Sequence, residues 1–329
     1  MLFDNAFIFC GVTVAAFLTD RLIGDPPAWP HPVRWIGAVL AFLEPRARKI
    51  VANPCIAGTA AAITALAAVC IVTKTALLLP GGLALLAAMY LLFSGLAFGQ
   101  LLREGKNALA VLESGDTAAA RDAISRLVSR DVSNANEAAL ARALAETLAE
   151  NINDAFVAPF FWYVLTGPVG LWFYKTASTM DSMWGYRHEP WTRFGTFAAR
   201  LDDVLAYVPA RLTVLCMWAA ATLAPSGMLW PGQWPGWTAL KTDAAKMDSP
   251  NAGWPMAAAA WLCGANMGGP TVYAGKSVEK PILGPCEQPA NHPAPWTAEN
   301  LRALLGLVEK TGTIAFAALL VIGIALRFI

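Results

Sequence analysis

The run from Ile50 to Thr73, IVANPCIAGTAAAITALAAVCIVT, carries no charged side chain over its whole length, and its reading decides the class of the molecule. A helix needs about 20 predominantly apolar residues to cross a bilayer. Further apolar runs lie at 5–19, free of charge but short, at 82–102, and at 311–327, whose uncharged part 311–326 is bracketed by Lys310 and Arg327 with long stems that can snorkel. Pro80-Gly81-Gly82 separates the second and third runs, which read as a transmembrane hairpin. Two more apolar runs are interrupted: 155–174 by Pro159 and Gly167-Pro168, and 204–224 by Pro209 and Arg211. Broken helices are tolerated at membrane depth when they are buried in protein or line a cavity, so these two runs either dip in and return or cross. The expected fold class is all-α, a multi-span integral membrane protein with four to six spans, read as one embedded domain over 1–329 with a cytoplasmic helical insert at 103–154.

Composition agrees with that class. Of 329 residues, 57% are hydrophobic and 14% charged, well below the charge of soluble domains. A net charge of +1 gives no global field for nucleic acid. Cys10, Cys55, Cys70, Cys216, Cys263 and Cys286 contain no C-x-x-C pair and read as buried thiols. Asp4 precedes the first apolar run and Asp20 stands where a small-residue cleavage site would lie, so that run reads as a retained span. The loop with Arg21, Arg34, Arg46, Arg48 and Lys49, the segment from Arg103 to Asp154 and the segment from Lys241 to Arg302 are placed in the cytoplasm by the positive-inside rule. Within 103–154, helical patterns meet at Gly115-Asp116, and a third helix opens near Ser133-Asn134 with Glu137 placed as in a capping box. No period-two strand series is visible.

The polar residues are clustered. Glu146, Glu150 and Asp154, four apart, form an acidic stripe opposite Leu140, Leu144 and Leu148, and the stripe runs into an apolar segment where an unpaired carboxylate is costly. Such carboxylates suit Mg²⁺ shared with a phosphate; the alternative is a solvated helix face. Lys175 opens a second island with Asp181, Arg187, His188, Glu189, Arg193, Arg200, Asp202 and Asp203, either a surface for charged, metal-linked ligands or a set of interfacial ion pairs. Asp20, Arg21, Asp25, Pro26, Pro27, Pro30, His31, Pro32 and Arg34 make a rigid polar loop, or an interfacial elbow, after the first span. With His31, His188 and His292 alone, a histidine-rich transition-metal site is not expected. Gly275-Lys276-Ser277 is no Walker A motif, because the position that needs its first glycine is Pro270; glycines followed by Lys276 and Lys280 can still present amides and charge to a phosphate. Trp218, Trp230, Trp234, Trp237, Trp254 and Trp261 fit an interfacial aromatic belt.

Seven ordered blocks, DRLIGDPPAWPHPVRWIG from Asp20, RDVS from Arg130, AETLAENINDAFVAPFF from Ala145, YKTASTMDSMWGYR from Tyr174, ARLDDVLAYVPARL from Ala199, SPNAGWP from Ser249 and GGPTVYAGKSVEKPILG from Gly268, resemble the adenosylcobinamide-phosphate synthases of cobalamin biosynthesis. The chain departs from that pattern with Ser178 for a usual Asn and Met256 for a usual Glu, so it places no carboxylate at 256. The resemblance implies an amide synthase of the cell membrane, with its site on the cytoplasmic side. It would join the free propionate of adenosylcobyric acid to aminopropanol, its phosphate or threonine phosphate, using ATP and Mg²⁺ through an acyl phosphate. The corrinoid is then substrate and not a resident cofactor; the bilayer and other corrinoid-pathway enzymes are the expected partners. The chemistry makes Glu146, Glu150, Asp154, Lys175 and Asp181 the catalytic candidates, with Glu146, Glu150 and Asp154 as metal ligands. Asp20, Asp25, His31, Arg34, Arg187, Arg200, Asp202, Asp203, Arg211, Asn251, Lys276 and Lys280 are the substrate-binding candidates. A transporter for a corrinoid or another anionic solute, and a scaffold for soluble corrinoid enzymes, are the competing classes.

Overall fold

The computed structural model describes residues 5–26, 28–223, 230–273, 275–285 and 295–328. Asp4, Pro27, Ala224, Ala274, Cys286 and His292, singled out above, lie outside them. In chain order the elements are α1 (Ala6–Ile23), α2 (Pro32–Ile50), α3 (Pro54–Leu77), α4 (Gly82–Gly95), α5 (Phe98–Glu113), α6 (Thr117–Ser125), α7 (Glu137–Ile152), a π turn (Asn153–Val157), α8 (Ala158–Trp184), α9 (Trp191–Phe194), α10 (Thr196–Thr222), α11 (Trp237–Ala244), α12 (Gly253–Cys263), β1 (Met267–Tyr273), β2 (Lys276–Leu283) and α13 (Ala298–Ala325). The described residues are mostly helical, with one short strand pair. Among the described residues six helical segments are long and apolar enough to cross a membrane: 6–23, 54–77, 82–113, 137–184, 196–222 and 298–325. α3 shows why: it is apolar all round, and Ile56, Ile63, Ile71 and Val72 stay exposed in the isolated chain, as lipid-facing side chains do.

Contacts gather the chain into two compact units, one of Met1–Gly99, Asp154–Ala206 and Phe316–Ile329, the other of Gln100–Asn153 and Tyr207–Ala315. In the first, α3 packs on α2, α4, α8 and α9, and α1 packs on α4. Its centre is a stack of rings: Phe17 lies against Phe98, Phe156 and Phe316, and Phe160 against Phe156, Tyr163 and Phe316. Asn5 and Asn53 cap α1 and α3 through their side-chain oxygens, each holding two backbone amides that the first turn leaves unpaired.

The interrupted run 155–174 folds back on itself. A straight helix from Asp154 to Tyr174 would hold them about 30 Å apart, yet the Tyr174 hydroxyl lies 3.4 Å from Asp154 Oδ1. The reversal is at Gly167, whose φ of 70° and ψ of −163° fit no residue with a Cβ, followed by Pro168, which lacks the amide to continue the ladder. The first arm, from 155 to 166, is about 18 Å long against a hydrocarbon core of about 30 Å. This run therefore enters and returns instead of crossing as a straight rod.

In the second unit α7 packs on α6, α12 and β1. Leu140, Leu144 and Leu148 are buried as the stripe requires, but so are Ala141, Ala143, Ala145, Ala149 and Glu146, so α7 has no broad solvated acidic face. Its cap is Asn136, accepting from the Ala139 amide. Glu137 is the first helical residue, not the third of a capping box, and Ser133 instead donates to Asp131 Oδ1. The break at Gly115-Asp116 is as expected, with Asp116 capping α6. The strand pair escaped the pattern reading: β1 and β2 form an antiparallel hairpin with Tyr273 opposite Lys276 and an irregularity between Met267 and Gly269. Pro270 and Pro281 sit inside these strands, where prolines ordinarily argue against sheet. Cys216 and Cys263 are buried, whereas Cys55 is exposed and Cys10 and Cys70 are half-buried.

Candidate functional site

The first unit gathers its polar residues around the start of α2 and the returning arm of α8. α2 begins at Pro32, and the His31 ring caps it: the Val33 amide donates to Nδ1 at 3.3 Å. A backbone N–H can only donate, so Nδ1 is the acceptor nitrogen and the neutral ring carries its proton on Nε2. Nε2 lies 3.4 Å from Asp25 Oδ2. The ring is thus committed at both nitrogens and orients the Asp25 carboxylate. Burial holds the His31 pKa below its ordinary 6.5; Asp25 opposes the shift, and the charges of Lys175 and Arg34 add to it.

Lys175, half-buried on the returning arm, is in electrostatic range of Asp154 and Asp25 as well as His31. Asp181, one turn and a half further on, feels Asp203 and Asp154, and Tyr174, which meets Asp154, also feels Asp202. The fold-back at Gly167 is what brings Asp154, at the head of the first arm, to residues of the second. Asp20 is buried and accepts from the Gly99 amide at 2.8 Å. Arg34, Arg187 and Arg200 are exposed. An apolar groove of about 340 Å³, lined by Pro32, Trp35, Ile36, Tyr90 and Trp172 among others, opens beside His31.

The other candidates belong to the second unit and do different work. Glu146 is buried; its carboxylate pairs with Arg130 and accepts from the Gly268 amide at 2.7 Å. Glu150 is exposed. Arg211 donates to Asn251 Oδ1 at 2.7 Å and to the Pro250 carbonyl at 3.1 Å, and covers the rings of Tyr207 and Trp254. That pins the SPNAGWP turn to α10. Lys276 is exposed, and the Lys280 ammonium sits 5.3 Å from the centre of the Tyr273 ring. The Gly268 amide, open to a phosphate on sequence grounds, is already taken by Glu146. Met256 is buried in α12 among alanines. Asp243 carried no pattern in the sequence, yet it holds Lys246, the Trp261 indole N–H at 2.7 Å and the Gly284 amide at 2.9 Å. Trp230 likewise donates to the Ala221 carbonyl, so at least these two indoles are structural links.

The stripe Glu146, Glu150 and Asp154 is not gathered into a metal site. Its first member is bonded to Arg130 and Gly268, its second is exposed, and its third faces Tyr174 after the π turn begins. Among the described residues no three His, Cys, Asp or Glu side chains are grouped as a metal cage. Mg²⁺ that arrives with a phosphate needs only one or two carboxylates, and Asp181 stands in electrostatic range of Asp203 and Asp154.

The family model described as CobD/Cbib protein matches residues 13–305. The chain belongs to the CobD/CbiB family. It is 38% identical over 280 residues to the cobalamin biosynthesis protein CobD of Klebsiella pneumoniae, covering 82% of this chain and 85% of that one. It is 37% identical over 313 residues to the CobD of Geobacter metallireducens, covering 91% and 96%. With the cobalamin biosynthesis protein CbiB of Salmonella typhimurium it shares 32% identity over 319 residues, covering 93% and 94%. No solved structure matches the chain.

Proposed function

We propose that the chain is a membrane enzyme of cobalamin biosynthesis that forms an amide between the free propionate of adenosylcobyric acid and aminopropanol, its phosphate or threonine phosphate, with its site on the cytoplasmic side. The family supports the pathway. The observation that carries the chemistry is that Lys175 stands in electrostatic range of Asp25, His31 and Asp154, which come from two other sequence blocks. Amide formation needs a cation for the propionate carboxylate and an acceptor for the proton that the attacking ammonium gives up. Lys175 supplies the first. Asp25, held by His31 Nε2–H, supplies the second. Asp154, Asp181 and Asp203 are the groups that would hold Mg²⁺ with ATP, which when bound supplies the activation of the carboxylate. The apolar groove beside His31 offers a surface to the hydrocarbon part of a large substrate.

Reconstitution with adenosylcobyric acid, ATP, Mg²⁺ and each amine in turn is the test, read by product mass. Lys175→Met should keep the fold and lower turnover by about 10²-fold or more, the usual cost of removing one preorganised charge. The folded-back arm also suits a transporter. Protein in liposomes that moves a corrinoid and never forms an amide would decide for transport.

A further inference from the structure

The RDVS block has no part in the site described above, yet it builds a cleft of its own in the second unit. The segment 130–135 runs between α7 and β1 and is bonded to the latter: the Asp131 amide donates to the Val272 carbonyl at 2.9 Å. Between loop, helix and strand lies a cavity of about 150 Å³, lined by Arg130, Ser133, Asn134, Arg142 and Thr271 with their neighbours. It adjoins a second cavity of about 460 Å³ that shares Asn134, Arg142 and Pro270 and is closed on another side by Trp296. The larger one is in the size range of small-molecule sites.

Two arginines face this space, and they differ. Arg130 is 10% exposed and fixed by the buried Glu146, which holds its guanidinium in place. Arg142 donates to the Pro270 carbonyl at 2.9 Å, but its Nε is buried without a partner, and no carboxylate pairs with it among the described residues. Nε is shut off from the cleft, so what Arg142 offers there is the outer edge of its guanidinium, which lines both cavities; such a planar fork is the usual receptor for a phosphate. Asp131 is the one carboxylate lining either cavity among the described residues, and it is turned onto the Ser133 amide and hydroxyl, which hold its pKa below the ordinary carboxylate value. Those bonds keep Asp131 ionised, so in the smaller cavity it opposes the two arginines, whereas in the larger cavity Arg142 is the one charged side chain of the lining among the described residues.

We propose that this cleft binds the phosphate group of a phosphorylated small molecule, with Arg142 as its principal ligand. The assignment rests on the amide-synthase reading only for what the molecule is: a nucleotide or an amino-alcohol phosphate, both of which that reaction would use. Calorimetric titration of the full chain in detergent with inorganic phosphate, aminopropanol phosphate and a non-hydrolysable ATP analogue tests it. At least one probe should bind, more weakly as salt rises, and about tenfold or more weakly in Arg142→Gln. The tighter of the two organic probes names the source. Aminopropanol and adenosine should not compete. If no phosphate probe binds, or if folded Arg142→Gln binds as well as the parent, the assignment fails. Should Arg142→Gln not fold, phenylglyoxal modification of the unaltered protein decides: phosphate probes must protect Arg142 and leave Arg21 reactive, and equal modification of Arg142 with and without them overturns the site. Amide synthesis without phosphate binding here would sink the cleft alone; phosphate binding without amide synthesis would sink the reaction alone.

Discussion

Glu146 holds one buried negative charge between two donors, and its neighbour on the stripe, Glu150, is exposed, so the same substitution should have opposite consequences at the two positions. In Glu146→Gln the amide can still accept from Gly268, but the Arg130 guanidinium loses its counter-charge. Breaking one side of a buried pair costs about 3–5 kcal/mol, and thermal unfolding in detergent should show a loss of that order. Glu150→Gln should leave stability within about 0.5 kcal/mol; a turnover defect there would be a chemical effect. Unfolding of Glu146→Gln at the parent temperature would remove Glu146 from the structural account. His31 makes a prediction of the other kind. Its pKa is below 6.5 in the folded chain, so between the folded and unfolded values the unfolded state binds the proton first. Stability is therefore fully present above about pH 6.5 and lost as pH falls through the folded value, when a protonated Nδ1 can no longer accept from Val33. His31→Asn keeps a strong cap without a titrating group and should flatten the melting temperature between about pH 7.5 and 5.5. An unchanged slope would mean that another group governs the acid limb. Individually Asp25, His31, Lys175 and Asp181 were legible in the sequence as charged residues stranded beside apolar runs. Glu146 was legible as a carboxylate but not as a paired one, because its partner Arg130 is sixteen positions upstream across a loop with no periodic pattern.

At the level of elements, the reversal inside α8 does most to define the first unit. Gly167 has no atom within 4 Å of where a Cβ would stand, so space does not forbid a side chain there; the backbone does. Its φ and ψ fall in the region open almost solely to glycine, which costs other residues on the order of 1–3 kcal/mol. Gly167→Ala should thus destabilise by that amount through conformation alone, and should lower turnover further if the reopened bend moves Tyr174 and Lys175 away from Asp154. A thermal shift in detergent measures the first, and the reconstituted reaction the second. An alanine variant as stable as the parent would show that the turn is not held in this conformation. The sequence marks the break through Gly167-Pro168 but not its angle, since a kinked crossing and a complete reversal use the same two residues. The hairpin of β1 and β2 was hidden for a related reason. Local signals for strand are weak where prolines at 270 and 281 interrupt alternation, and the pair is defined by cross-strand partners and by Glu146 and Arg142 bonding to β1 from α7.

For the molecule as a whole, the number of crossings depends on where the chain between α8 and α10 emerges. The apolar runs at 50–73 and 82–102 were readable from length and lack of charge, and those at 5–19 and 311–327 from lack of charge although short, whereas the fate of 155–174 depended on contacts between residues twenty apart. Two contacts bear on it. Tyr174 meets Asp154, so the returning arm ends on the side from which the first arm set out. Arg48, at the end of α2, donates to the Pro190 carbonyl at 3.1 Å, and its guanidinium lies 4.2 Å from the centre of the Phe194 ring, so the segment around α9 stands beside the basic stretch Arg46 to Lys49. α2 is not among the segments long and apolar enough to cross, and its basic end is of the kind retained in the cytoplasm. The Arg48 contacts put α9 on the same side as that end, and the reversal of 155–174 agrees with it. Single cysteines replacing Lys49 and Thr192, each exposed, should then react with a membrane-impermeant maleimide from the same face, in inverted vesicles and not in intact cells. The background must be free of native cysteines, because Cys55 is itself exposed at the start of α3. A straight crossing by 155–174 predicts the reverse, with Lys49 labelled from the inside and Thr192 from the outside. That result would turn the folded-back arm into a true span and move Lys175 away from the side where ATP is found.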